Sequence, residues 1–210
     1  MNNIDIYSVL KDRIVFLAYE PGLVLKEKPL MDEFSVSRTP VREAFIRLEV
    51  EGLVRIVPSM GTFVSEVSFQ KLKDVFETRS FLIRRAGRLA ANRISEKEME
   101  KMWIMIEKMR EESNPLALLR IDSELHELIN DAAKNEVLSN MLSLLRNQTI
   151  RIWSFSDSEF EYFTELPDEF EQIASALASK DGDEAAELLE NHTKRFMEYM
   201  KRKLMGGDII

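Results

Sequence analysis

The spacing of apolar residues changes along the chain. Near the N-terminus Ile6, Leu10, Ile14 and Leu17 recur at helical intervals, which predicts a helix with one buried face, stopped by the turn signature Glu20-Pro21-Gly22. A second short helix is expected over 27–34 and a third over 38–51. The pattern then becomes β-prone. Leu53-Val54-Arg55-Ile56-Val57 and Thr62-Phe63-Val64-Ser65 flank Pro58-Ser59-Met60-Gly61, a turn closed by glycine, which predicts a hairpin. Beyond about Val67 nothing reads as strand, and apolar residues return to helical spacing until the end. Two domains are therefore expected, 1–67 and 68–210. The second reads as six helices over 69–93, 96–112, 116–133, 136–155, 167–180 and 184–204. Between them lie a capping box at Ser95 and Glu98, the cap Asn114-Pro115, and the turn Asp181-Gly182-Asp183.

Composition narrows the class. The 210 residues are 45% hydrophobic and 31% charged, an ordinary globular balance. No apolar run approaches the length of a membrane-spanning helix and the N-terminus lacks signal-peptide character, so a cytoplasmic protein without membrane contact is expected. The absence of cysteine excludes disulfides and thiol chemistry, and with only two histidines, His126 and His192, any metal site must be sparing. A net charge of −8 argues against nucleic acid as a partner unless basic residues gather locally. They do so in the stretch SVSRTPVREAFIR, where three arginines face one glutamate between Ser37 and Arg47.

Three short helices followed by a hairpin is the element order of a winged helix-turn-helix, in which the third helix enters the major groove by its leading end. Pro40 fits that start, because an N–H in the first turn has no helical acceptor to lose. Ser37 or Thr39 can cap the neighbouring donors. Arg38 and Arg42 stand one turn apart, where a guanidinium can grip a phosphate or bond guanine at two atoms. The fold expected is mainly α, a winged helix-turn-helix followed by an all-α helical bundle.

The segment PGLVLKEKPLMDEFSVSRTPVREAFIRLEVEGLVRIVPSMGTFV closely resembles the DNA-binding domain of GntR-family transcriptional regulators. The resemblance implies DNA contacts from Lys28 on the second helix, from Ser37, Arg38, Thr39 and Arg42 on the third, and from Gly61 at the wing tip. Met60 departs from the family, which often has a basic residue there, and this implies a weaker wing contact.

In the second domain, polar groups occupy positions on apolar stripes. Asp122 and His126 lie with Leu118, Leu125 and Ile129, His192 lies with Ala185, Leu188, Leu189 and Phe196, and Arg79 lies with Val75, Leu82 and Ala86. Inward charges must be paired, coordinated or bathed by a cavity. Two readings stand: a buried network in which Arg79 pairs with Asp122 and backbone carbonyls satisfy the histidines, or a ligand pocket.

The segments FETRSFLIRRAGRLAANR, IDSELHELINDAAKN and EQIASALASKDGDEAAELLENH resemble the FCD effector domain of the FadR-type branch of that family, in its six-helix form. The resemblance implies metal ligands at Asp122, His126 and His192. The family's remaining ligand position is Phe170 here, which cannot bind a metal, and the family's glutamate four residues after Arg79 is replaced by Ile83. Two outcomes follow: a divalent metal, zinc or nickel, held by three ligands with an open position, or an organic anion held directly by Arg79 and the histidines against Phe170. Arg79 suits a carboxylate effector, since its fork matches one.

The function expected is that of a ligand-responsive regulator and not an enzyme, binding a short palindromic operator in double-stranded DNA as a homodimer, with 65–69 as the hinge. The alternatives are a metal-dependent hydrolase, for which no nucleophile or general base is evident, and a helical interaction protein that does not bind DNA.

Overall fold

The computed structural model describes residues 5–68, 72–155 and 160–205. It is mainly α-helical with one small sheet, as the apolar spacing predicts. It divides into two compact units, Met1–Phe69 with Ile150–Phe155, and Gln70–Thr149 with Ser156–Ile210. The sequence boundary near Val67 leaves Ile150–Phe155 in the second domain, whereas these residues belong to the first unit.

In the first unit, α1 (Ile6–Val15) and α2 (Glu27–Phe34) pack on α3 (Arg38–Val50), burying Leu10, Ile14, Leu30, Val41, Phe45 and Leu48. Helix α1 ends two residues before the predicted Leu17, whose φ of 56° cannot continue a helix. Strands β2 (Val54–Val57) and β3 (Gly61–Val64) form the expected antiparallel hairpin, closed at Gly61 with φ of 126°, a conformation that favours glycine. A third strand, β1 (Val24–Leu25), pairs with the other edge of β3 through Val24 opposite Phe63 and Leu25 opposite Thr62. Two residues are too few to show alternation, so the pattern does not reveal it.

Residue Ser65 is tied down, its N–H donating to Leu53 O at 3.0 Å and its carbonyl accepting from the guanidinium of Arg151. Arg151 is fully buried, and burial pushes its pKa down to about 10 against the pull of Glu66. Of the expected hinge over 65–69, Phe69 lies outside the described residues, as does the predicted start of the next helix.

The second unit contains α4 (Leu72–Arg93), α5 (Glu96–Glu111), α6 (Pro115–Ala132), most of α7 (Glu136–Phe155), a 3-10 turn (Phe160–Glu165), α8 (Leu166–Ala178) and α9 (Gly182–Met205). Their ends follow the expected signals. Ser95 and Glu98 form the reciprocal capping box at α5, and Asn114 Oδ1 accepts from Leu116 N at 2.9 Å and Ala117 N at 3.0 Å at α6. Helix α9 begins before the expected Glu184, because Asp181 Oδ1 takes the Glu184 N–H at 2.9 Å and leaves Gly182 helical.

Helices α4 and α9 pack closely at Gly87, where a Cβ would lie 2.8 Å from Leu189 Cδ1 and 3.2 Å from the Ala185 backbone. The buried stripe of α4 is Phe76, Arg79, Ile83, Ala86 and Ala90, with the predicted Val75 and Leu82 only half-buried beside it. Likewise Leu189, rather than Leu188, is fully buried on α9.

Candidate functional site

Six elements of the helical unit send polar side chains to one place. Helix α6 supplies Asp122 and His126 one turn apart, α9 supplies His192, α8 supplies Glu169 and Phe170, α4 supplies Arg79, α7 supplies Arg146, and the 3-10 turn supplies Tyr162. Asp122, His126 and His192 are buried, and one ligand atom from each lies within 4.8 Å of the others. The two Nε2 atoms of His126 and His192 are 3.0 Å apart, and Asp122 Oδ1 lies 3.4 Å from the second and 3.8 Å from the first. Arg79 stands behind them, its guanidinium 3.4 Å from His126 Nε2.

Pairing within the cluster differs from the buried network considered above. Asp122 pairs with Arg146, which also donates to Ser123 Oγ at 3.2 Å, while Arg79 turns to His126. Sequence reasoning missed Arg146, although Leu138, Leu142 and Thr149 place position 146 on the buried face of α7. It also missed Glu169, whose Oε2 lies 2.8 Å from His192 Nδ1, and Arg195, whose Nε lies 2.7 Å from the other oxygen. Phe170 is completely buried, its ring centroid 5.0 Å from that of His192 and 5.7 Å from that of His126.

Burial and charge set the ionisation of these groups. Burial pushes the Asp122 carboxyl up, but the Arg146 guanidinium and the imidazoles outweigh it and hold the pKa well below the usual range. His126 is held well below its ordinary value by burial and then by Arg146. Burial opposes protonation of His192 too, yet Asp122 and Glu169 together raise its pKa. Burial pushes Arg79 down to about 9, with Arg146 adding to the shift. Tyr162 is raised by burial and by the charge of Asp122.

The donor set fits a divalent cation. A carboxylate oxygen and the Nε2 atoms of two imidazoles converge, and the contact of His192 Nδ1 with Glu169 leaves that ring's Nε2 free to ligate. The Phe170 ring packs against both imidazoles.

At the other end of the chain, Ser37 occupies the N-cap of α3 in an extended conformation without a side-chain cap bond, and Thr39 is the second helical residue. Both are exposed, as are Lys28, Arg38, Arg42 and Gly61. Arg38 and Arg42 share one carboxylate, that of Glu27 at the start of α2, with Arg42 Nε 2.7 Å away. Arg47, counted among the basic residues of this stretch, lies instead with its guanidinium 3.5 Å from the centroid of the Tyr7 ring on α1.

Residues 4–64 match the bacterial regulatory proteins of the gntR family, and residues 74–195 match the FCD domain. The chain belongs to the GntR family, in the branch that carries an FCD domain. Among its relatives, the HTH-type transcriptional repressor RspR of Escherichia coli is 27% identical over 95% of this chain and 89% of that protein. The Nta operon transcriptional regulator of Aminobacter aminovorans is 27% identical over 90% of each chain. In fold, McbR/YncC of E. coli superposes with a TM-score of 0.83 at 20% identity, covering 94% of this chain and 95% of that one. As a GntR/FCD protein, this chain is a DNA-binding transcriptional regulator with an effector-binding helical unit; nothing in these likenesses favours a hydrolase. Among the described residues no helix is long and apolar enough to cross a membrane.

Proposed function

We propose that this GntR/FCD regulator reads a short palindromic operator as a homodimer through Lys28, Ser37, Arg38, Thr39, Arg42 and Gly61, and is controlled by a small carboxylate bound at a metal held by Asp122, His126 and His192. The observation that carries the reading is the convergence of three buried ligand atoms beside Arg79. A bound divalent cation supplies a Lewis-acidic position that takes a carboxylate oxygen. Asp122 and the two imidazoles hold it, Arg146 keeps Asp122 ionised, and Arg79 offers a guanidinium fork to the carboxylate's second oxygen. Phe170 supplies the apolar wall.

Calorimetric titration with zinc and nickel after exhaustive chelation tests the metal. Phe170→His, which places another imidazole against His126 and His192, is expected to tighten binding by well over ten-fold, an order-of-magnitude figure for completing a preformed site. Equal, negligible binding before and after the substitution means that the cluster is only a structural network. Operator gel shifts with metal and simple carboxylates then test control, and binding must weaken steeply with salt.

A further inference from the structure

Glu169 and Arg195 were not part of the site as the sequence presents it, yet they border it at His192. A neutral imidazole carries one proton and one lone pair, and only the nitrogen with the lone pair can ligate. His192 is buried, so bulk water does not choose between its nitrogens. Carboxylates flank both nitrogens and can only accept, but Glu169 Oε2 lies 2.8 Å from Nδ1 whereas Asp122 Oδ1 lies 3.4 Å from Nε2, so the neutral ring keeps its proton on Nδ1 and leaves the Nε2 lone pair for a cation. Glu169 has a countercharge of its own, its Oε1 2.7 Å from Arg195 Nε in an ion pair, while Arg195 donates to Glu165 and lies over the Tyr162 ring at 5.2 Å from the centroid. Arg195 follows His192 by three residues on α9, so one turn of that helix carries both the ligand and the group that fixes the ligand's partner.

The other imidazole has no such support. His126 Nδ1 is buried without a hydrogen-bond partner. The two histidines are therefore unequal, and only His192 has a carboxylate against its Nδ1.

We infer that Glu169, paired with Arg195, is a positioning residue that fixes the tautomer of His192 and thereby sets the metal affinity of the site. The affinity half of this rests on the metal reading above; the tautomer half does not. The carboxylate also makes the imidazole a stronger donor.

The test uses the full-length protein and two variants, Glu169→Ala and Glu169→Gln, the second keeping an oxygen that can accept from Nδ1–H. Nitrogen NMR of the chelated proteins in alkaline buffer, where both imidazoles are neutral, reads the tautomer directly. Wild type is expected to show His192 protonated at Nδ1, Glu169→Ala to shift it toward Nε2, and Glu169→Gln to restore it. Zinc titration should show a loss on the order of 10- to 100-fold for Glu169→Ala and a smaller loss for Glu169→Gln, with thermal unfolding of the metal-free proteins close together. An unchanged tautomer in Glu169→Ala overturns the assignment. So does full zinc affinity in that variant. If wild type binds neither zinc nor nickel, the metal reading fails, and the NMR measurement still decides what Glu169 does.

Discussion

Two groups of arginines meet carboxylates in this protein, in opposite surroundings. At the start of α3, Arg38 and Arg42 share Glu27 with side chains 62% and 56% exposed. In the helical unit, Arg146 pairs with Asp122 at 6% and 11% exposure. The same Coulombic attraction has different consequences. Near water the pair is weak and its arginines can exchange one anion for another; in the interior neither charge can leave without stranding its partner. Exposure thus separates arginines free to exchange their partner from an arginine committed to a buried carboxylate.

The sharpest way to break this contrast is Asp122→Ala, which leaves the buried Arg146 guanidinium without its carboxylate. In chelated protein it is expected to cost about 3–5 kcal/mol of unfolding free energy, measured in urea. A loss below about 1 kcal/mol, the range of exposed pairs, would show that water reaches the cluster.

Next in size is the effect at the other end. Arg38→Ala or Arg42→Ala should weaken operator binding by about 1–3 kcal/mol in gel shifts while moving unfolding by no more than about 0.5 kcal/mol. Undiminished operator affinity in both variants would remove α3 as the reader.

Glu98 sits between these extremes, its side chain 25% exposed. Burial pushes its carboxyl up, but Lys134 at 2.5 Å and the Ser95 hydroxyl and N–H outweigh this and lower it from 4.5 to about 2. A folded-state pKa below the unfolded one adds stability that is present above about pH 4.5 and is lost as pH falls toward about 2. Glu98→Gln should flatten the stability curve across that window by on the order of 1 kcal/mol, after allowing for solvent screening. An identical acid limb would mean that the pair contributes nothing.

The smallest stability change is expected from Glu27→Gln, within about 0.5 kcal/mol. Its DNA effect has the opposite sign to that of the arginine variants: freed of their carboxylate, Arg38 and Arg42 should bind non-operator DNA more tightly, read by fluorescence anisotropy.

The contrast also explains what the sequence could reveal. Asp122 and His126 are one turn apart on a single helix and His192 lies on an apolar stripe, so helical periodicity alone turns all of them inward. The resemblance to the FCD domain implies that Phe170 stands in for a ligand beside the histidines, and its ring is found against both of them. Partners are another matter. Arg79 and Arg146 both point inward, and which of them takes Asp122 depends on how α4 and α7 pack on α6, which no local pattern encodes. Glu169 next to Phe170 reads as solvated surface until the packing of α8 on α9 brings it to His192 Nδ1. The edge strand β1 escaped for a simpler reason, since two residues have no period.

Glu27 has a kinetic consequence if Arg38 and Arg42 read the operator. Each guanidinium arriving at a random phosphate must first release a carboxylate, so the exchange of one anion for another gains little and contact with non-operator DNA is brief. At a guanine that offers two acceptors the exchange tilts toward DNA. A chain of net charge −8 with self-occupied arginines would thus move along the genome with short pauses, and selectivity would appear as the length of the stay rather than the frequency of arrival.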